Sequence, residues 1–277
     1  DDSLMEITHV IRGEDHVSNT PKQILIYHAL GFNVPIFAHL PMILGEDKKR
    51  LSKRHGAAGV NEYESMGYQP DALLNYLALL GWNPGTEEEI FDLGSLVKNF
   101  DIRKVQKKSA TYDQKKFNWI SSQHLMKEDS DKVLNRLASI DPRWSESRSQ
   151  DYLIKIIDLM KPRSNSLTDL IDQSRYFFSS PKEFDSAQLQ KIWKQDTAEI
   201  IIELKSVLGA INSWVAIELE SNFKSFMDQR GFGIGKVMKP MRFLICGSLQ
   251  GPSLFDLMEL IGKEESLKRI NYAINEF

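Results

Sequence analysis

The spacing of apolar positions in the first 45 residues changes from that of a strand to that of a helix and back. Residues 6–11 alternate and are β-branched until Gly13. Asn19, Thr20 and Pro21 are typical of a helix start, and apolar positions then recur at helical spacing until Gly31. Residues 36–40 predict a second short strand. This strand–helix–strand order indicates a parallel α/β sheet.

After residue 56 the apolar spacing becomes helical. Leu73, Leu74, Leu77 and Leu80 share one face, and Gly81 follows them. Similar spacing predicts helices over residues 71–80, 90–100, 115–120, 130–140, 151–160, 167–178, 186–194, 197–208, 210–229, 239–246, 254–260 and 264–275, with a turn at Gly235 and Lys236. The predicted fold class is therefore mainly α, with a small α/β part before it.

Two strands are too few for a complete doubly wound sheet. The chain also opens on Asp1 and Asp2, without a Met, and enters a strand-like run within a few residues. We therefore expect that these residues are the later part of an α/β domain whose other strands are absent or supplied elsewhere.

Composition narrows the functional classes. The 277 residues are 42% hydrophobic and 26% charged, which is ordinary for a soluble globular protein, and no run approaches the roughly 20 apolar residues of a membrane span. The single cysteine, Cys246, excludes intrachain disulfides and a cysteine-built zinc site, and no metal-ligating residues are predicted. A cytoplasmic location fits this usage.

Net charge and charge distribution point in different directions. The formal charge of −3 argues mildly against a nucleic-acid-binding protein, yet residues 230–255 carry four basic residues and no acidic one. A second basic cluster contains Arg103, Lys104, Lys107, Lys108, Lys115 and Lys116. Such patches can bind phosphates, although solvated helix faces are an equal alternative.

The sharpest local signal is the basic segment of residues 48–56, KKRLSKRHG, which follows an apolar strand end. A flexible basic loop at a strand end can close over a triphosphate and neutralise the charge that develops in nucleotidyl transfer. Lys53 is the residue that we expect on the phosphates.

This segment resembles the second signature of class I aminoacyl-tRNA synthetases, the Lys-Met-Ser-Lys-Ser type loop. Residues 7–16, ITHVIRGEDH, resemble the matching segment of glutamyl- and glutaminyl-tRNA synthetases, and residues 68–82 resemble the helix that joins their catalytic core to the tRNA stem-contact region. Arg50 departs from the usual Lys of the loop. The family's first signature, of His-Ile-Gly-His type, does not occur in these 277 residues.

The resemblance implies roles for residues near both signatures. Arg12 would bind a carboxylate of glutamate, with a structural salt bridge as the alternative. Glu14, Asp15 and His16 would line the glutamate and ATP sites, although His16 could equally pack. Met42 and Ile43 would hold adenine through backbone groups and apolar contact, or simply belong to the strand core. The implied catalytic residues of the loop are Arg50, Ser52, Lys53 and Arg54.

The later part of the chain distinguishes members of the family. Glutaminyl enzymes read the anticodon with β-barrels, whereas the pattern after residue 125 is helical and resembles bacterial-type glutamyl-tRNA synthetases. By this resemblance Arg163 reads the third anticodon base. The residues that would surround the other bases are Lys239, Arg242, Pro252, Leu254 and Phe255. Core packing remains the alternative for Leu254 and Phe255, and a phosphate or structural contact for Arg242.

The resemblance implies four regions: residues 1–48 as the C-terminal part of a Rossmann-type catalytic domain, 49–126 as the signature loop and stem-contact domain, and 127–207 and 208–277 as two helical anticodon-binding subdomains. The implied reaction is activation of L-glutamate with ATP and Mg²⁺, followed by transfer to the 3′ end of tRNA(Glu), in a monomer that needs no membrane. Without the first signature, the isolated chain is expected to be inactive. A non-catalytic tRNA-binding module and an enzyme that also charges glutamine tRNA remain alternatives; a paralogue that modifies a tRNA base is disfavoured.

Overall fold

The computed structural model describes residues 1–52, 59–146 and 148–276. It divides into two compact units, Asp1–His124 and Leu125–Phe277. The chain is mostly helical with one small sheet, as the sequence predicts. Among the described residues, none of the helices is both long and apolar enough to span a bilayer. The four-region division of the chain stays a prediction.

The sheet of the first unit contains two parallel strands, β1 (His9–Gly13) and β2 (Ile36–Leu40), paired from His9 opposite Ile36 to Gly13 opposite Leu40. A 3-10 helix (Glu14–Asn19) and helix α1 (Thr20–Ala29) connect them. The strand–helix–strand prediction is thus confirmed. The first strand begins three residues later than predicted, because Glu6 has a positive φ of 54° and Met5 and Ile7 donate back to Asp1 and Asp2.

The helices of the first unit pack around aromatic side chains. They are α2 (Val60–Ser65), α3 (Pro70–Leu79), α4 (Leu93–Asn99) and α5 (Gln114–Lys127), with a 3-10 turn at Ile102–Lys104. The Tyr63 and Tyr112 hydroxyls lie 2.9 Å apart, and the Tyr76 hydroxyl accepts from the Asp113 amide and donates to its carbonyl. Burial raises the pKa of Tyr76 to about 12, so this phenol remains a neutral hydrogen-bonding group inside the core.

The second unit is a helical bundle with one continuous hydrophobic core. Its helices are α6 (Ser130–Ile140), α7 (Pro142–Glu146), α8 (Gln150–Met160), α9 (Leu167–Gln173), α10 (Ser186–Ile192), α11 (Thr197–Gly209), α12 (Ala216–Arg230), α13 (Ile234–Cys246), α14 (Leu254–Ile261) and α15 (Lys263–Glu276). Short 3-10 turns at Lys161–Arg163 and Arg175–Phe177 flank α9. No strand occurs among the described residues of this unit, which agrees with the prediction of an all-helical second half.

The predicted turn at Gly235 and Lys236 is wrong, since both residues lie inside α13. The helix buries Val237, Met241 and Leu244 completely, at spacings of four and three residues. Burial of such a stripe contributes several kcal/mol, whereas a glycine in the first turn of the helix costs at most about 1 kcal/mol of helix propensity. Tertiary packing therefore overrides the local turn signal.

Adjacent isoleucines on α11 test this core. Ile201 is fully buried, whereas Ile202 is 48% exposed. We expect Ile201→Ala to lower the free energy of unfolding by about 2–5 kcal/mol, because it leaves a cavity, and Ile202→Ala to change it by less than about 1 kcal/mol. Urea denaturation of both variants measures this difference, and equal losses would contradict the described packing of α11.

Candidate functional site

Arg12 lies near the end of β1 and is held by neutral groups. Its guanidinium donates to Thr20 Oγ1 at 2.7 Å, to Gln23 Oε1 at 2.6 Å and to His39 Nε2 at 3.3 Å. The cation also lies 5.3 Å from the centre of the Phe37 ring. The ion pairs of the described residues do not include Arg12, so the structural salt bridge considered from the sequence is not observed. Its positive charge is oriented and available to an anion.

The sequence did not predict which residues hydrogen-bond to Arg12. His39 stands directly opposite Arg12 in the parallel pairing of β1 and β2, and Thr20 lies 3.0 Å from the same His39 nitrogen. The alternation within residues 36–40 could have placed His39 on the face of Arg12 once the register was known. His16, in contrast, is exposed: its ring Nδ1 lies 3.4 Å from the Asn19 side-chain amide, and its carbonyl accepts from Thr20 Oγ1 at 3.2 Å. The packing alternative for His16 is therefore not observed.

Two acidic residues after β1 contact the segments predicted to bind adenine and phosphate. Glu14 Oε1 accepts from the Met42 amide at 2.9 Å, and Asp15 Oδ2 lies 3.3 Å from Arg50 Nη2. The Met42 N–H is thus already used in this structure. Among the described residues, the Met42 carbonyl and the Ile43 N–H make no backbone hydrogen bond, whereas the Ile43 carbonyl accepts from the Leu51 N–H.

The predicted phosphate loop begins as a tight hairpin. Leu44 pairs with Arg50, Gly45 donates to the Lys49 carbonyl at 2.8 Å, and Lys48 adopts a left-handed φ of 62° at the turn. Arg50 is therefore fixed on the stem of the loop and not at its tip. Ser52 is the last described residue before the gap, and the predicted catalytic residues Lys53 and Arg54 lie outside the described residues.

Arg163 occupies the helix-to-loop junction predicted for it. It ends the 3-10 turn Lys161–Arg163 between α8 and α9, follows Pro162, and has an exposed side chain. Two positive charges affect the ionisation of the Tyr176 phenol. Burial raises the pKa of Tyr176, whereas the positive charges of Arg242 and Arg163 oppose that rise. Both arginines therefore act electrostatically on one phenol, although they are 79 positions apart in the sequence.

Arg242 holds the loop that follows α13. Its Nη1 donates to the Pro252 carbonyl at 2.6 Å, which realises the structural contact that the sequence left as an alternative. A Cβ on Gly251 would lie 3.1 Å from Arg242 Nη1 and 3.4 Å from the Tyr176 hydroxyl. At Gly251 the backbone of the loop therefore lies closer to both side chains than a residue with a Cβ atom would allow. Lys239 lies one turn before Arg242 on α13 and is exposed.

Leu254 and Phe255 lie in the core, and the base contacts predicted for them stay a prediction. They were predicted to surround the anticodon bases, but their side chains are 2% and 7% exposed in the hydrophobic core. The Phe255 ring packs edge-on against Phe223 at 5.4 Å. These residues start α14, whose apolar face is buried, and that burial turns both side chains away from solvent. They pack in the core directly after the loop that contains Pro252, which agrees with core packing as the alternative role.

An open cavity of about 840 Å³ adjoins Tyr176 and Gly251. Polar side chains line much of it, including Gln173, Ser179 and Gln250. Gly247 shapes its floor, because it ends α13 with a φ of 70° and a Cβ there would lie 2.9 Å from the Pro181 side chain. This space is large enough for a nucleobase, and hydrogen-bonding groups beside apolar surface suit an unstacked base.

The residues around Arg12 and those around Arg242 fall within regions that match two known protein families. Residues 134–274 match the family model described as anticodon binding domain, and residues 1–119 match the model described as tRNA synthetases class I (E and Q), catalytic domain. Because the first of these matches covers just over half of the chain, the chain belongs to the anticodon binding domain family.

Individual relatives agree with this assignment. The chain is 40% identical to a glutamate–tRNA ligase of Syntrophobacter fumaroxidans and 38% identical to one of Moorella thermoacetica, over 99% of this chain. A crystal structure of a glutamate tRNA ligase from Elizabethkingia meningosepticum, in complex with its amino acid, matches with a TM-score of 0.82 at 34% identity over 99% of this chain. The chain spans 57–58% of the length of these relatives.

Cys246 reports on the cavity beside Tyr176. Its thiol lines that cavity, is 7% exposed, and lies 3.8 Å from the position of a Cβ on Gly251. Burial raises its pKa to about 12, so the reactive thiolate is scarce at pH 8. We expect a thiol reagent to label the folded chain at least about a hundredfold more slowly than the unfolded chain.

The measurement is simple because Cys246 is the single cysteine of the chain. Labelling in denaturant provides the reference rate. A folded chain that labels as fast as the denatured one would show that the loop after α13 does not close over Cys246 as described.

Proposed function

We propose that this chain functions as part of a glutamate–tRNA ligase. In that enzyme L-glutamate is activated with ATP and transferred to the 3′ end of tRNA(Glu). The observation that carries the proposal is an open cavity beside Tyr176 and Gly251 that is large enough for a nucleobase, at the loop that Arg242 holds through the Pro252 carbonyl. Relatives named glutamate–tRNA ligase, 38–40% identical to this chain, support it. In this proposal residues 125–276 read the anticodon, and the first unit contributes to activation.

In the first unit, Arg12 is proposed to bind a carboxylate of glutamate. A guanidinium whose other donors are already satisfied by Thr20 and Gln23 does not need to reorganise before it meets an anion. Pre-orientation of this kind lowers the cost of binding. Neutral partners also leave the full positive charge available to the substrate.

ATP is proposed to bind near Met42, Ile43 and the loop that begins at Arg50. The Asp15–Arg50 ion pair is exposed and therefore weak, so a phosphate could replace Asp15 as the partner of Arg50 at little cost. His16, Ser52, Lys53 and Arg54 complete the proposed set on the strength of the sequence. Mg²⁺ would accompany the phosphates of ATP, and no protein ligand is assigned to it.

Arg163 is proposed to read the third anticodon base, which distinguishes glutamate from glutamine tRNA. Its side chain is exposed while its backbone is restrained by Pro162, so it can project a planar donor pair in a defined direction. Lys239 and Arg242 lie on one face of α13 and are proposed to contact the same loop of the tRNA, with Pro252 beside them.

Binding of transcripts to the 277-residue chain tests this role. A base contact carries about 1–3 kcal/mol of discrimination, so we expect Arg163→Gln to lower the preference for tRNA(Glu) over tRNA(Gln) by roughly 5- to 150-fold. Dissociation constants for the two transcripts should be measured side by side at one salt concentration, because phosphate contacts depend on salt.

Arg143→Gln is the matched control, since Arg143 is an arginine of the same unit with a 95% exposed side chain. It should leave the preference unchanged. If Arg163→Gln weakens both transcripts by the same factor, Arg163 contacts phosphate or packs, and the proposed reading of the third base is wrong.

A further inference from the structure

The turn that presents Arg163 starts with a buried lysine. Lys161 is only 7% exposed, although lysine is among the residues most rarely buried. Its ammonium donates to the backbone carbonyl of Glu128 and, at 2.7 Å, to Ser130 Oγ. Ser130 Oγ in turn donates to Asp158 Oδ1 at 2.5 Å. A chain of three hydrogen bonds therefore links the turn, the residues between α5 and α6, and the end of α8.

Burial of an ammonium is costly, and the cost is offset only if its hydrogen bonds are well made. The two direct acceptors of Lys161 are neutral oxygens, so the arrangement gains little from pairing of opposite charges. The two hydrogen bonds instead fix the position of the turn. The Glu128 carbonyl and Ser130 Oγ lie just before and at the start of α6 and cannot move independently of that helix. The turn is thereby attached to a fixed part of the bundle.

The other side of Arg163 is fixed as well. Ser164 is fully buried, donates its hydroxyl proton to the Met160 carbonyl at 3.0 Å, and donates its backbone N–H to the Lys161 carbonyl at 3.3 Å. Arg163 is thus an exposed side chain whose backbone lies between two buried and hydrogen-bonded neighbours. Displacement of Lys161 would release the turn on one side.

We infer that Lys161 is a positioning residue for base reading: its buried ammonium holds the Lys161–Arg163 turn so that the Arg163 guanidinium meets the third anticodon base in register. The inference rests on the proposed function of Arg163. It assigns to Lys161 no contact with the tRNA, since its ammonium is buried and directed toward Glu128 and Ser130.

A double-mutant cycle on the 277-residue chain tests this role. Lys161→Met keeps the length of the side chain and removes its donors, and Arg163→Gln removes the reader. We expect Lys161→Met to lower the preference for tRNA(Glu) over tRNA(Gln) about fivefold or more, and the double variant to show no lower preference than Arg163→Gln alone. Such non-additivity is expected only if both residues act through one contact.

Two further variants separate positioning from general destabilisation. Lys132→Met makes the same change at an exposed lysine on α6 and should leave the preference unchanged. Ser130→Ala removes one acceptor of Lys161 without emptying its site, and should lower the preference in the same direction by a smaller factor. It also provides the test if Lys161→Met fails to fold, as judged by its thermal unfolding curve.

The outcomes distinguish the two proposals. If Arg163→Gln lowers the preference while Lys161→Met and Ser130→Ala do not, or if the effects of Lys161→Met and Arg163→Gln multiply, the positioning role is overturned and base reading stands. If Arg163→Gln itself leaves the preference unchanged, base reading fails and the positioning role fails with it. Equal weakening of both transcripts by Lys161→Met would also overturn the positioning role, because it would show that the charge of Lys161 acts on both tRNAs at long range.

Discussion

Burial of apolar helix faces in the second unit is the constraint on which the candidate tRNA-reading residues depend. Met160 at the end of α8 is fully buried, and its sulfur accepts from the Tyr176 hydroxyl at 3.4 Å. Phe243 and Leu244 are fully buried on α13, the helix that carries Arg242. The core thus sets the distance between two surface loops that belong to distant parts of the sequence. Polar contacts such as that between Arg242 and Pro252 then fix the loops in detail.

The first unit organises its polar groups in a different way. Its sheet has two strands, so little apolar area holds the end of β1, and hydrogen bonds do most of the positioning there. Arg12 is held by neutral acceptors, whereas Glu14 and Asp15 hold Met42 and Arg50. These contacts are at least partly exposed and therefore individually weak. An anionic ligand could therefore replace the acidic contacts at little cost in free energy.

Buried cations recur where the second unit needs rigidity. Lys161 donates to neutral oxygens beside α6, and Arg269 is 2% exposed with donors to Glu265 and to the Ile245 carbonyl. In both cases a charged side chain ties a backbone carbonyl of one segment to another segment. Removal of either cation would leave partly or fully buried carbonyl groups without these donors, which costs more than the net value of the hydrogen bonds.

The sequence by itself determined the strand–helix–strand order, the helical character of the second unit, and the place of Arg163 at a junction. These follow from periodicity and from Pro162, which act locally and need no knowledge of neighbours in space. The segment resemblance likewise predicts Arg12, Met42 and the loop at Arg50 as one group of site residues.

Only the tertiary structure decided what each of these residues touches. The register of β1 and β2 placed His39 against Arg12, and Glu14 took up the amide of Met42. Packing kept Gly235 inside α13 and turned Leu254 and Phe255 into the core. Periodicity shows which face of a segment is apolar, but partners across a bundle depend on how several segments share one core. The burial of Lys161 belongs to this second kind of information, because nothing in the local pattern distinguishes it from an ordinary surface lysine.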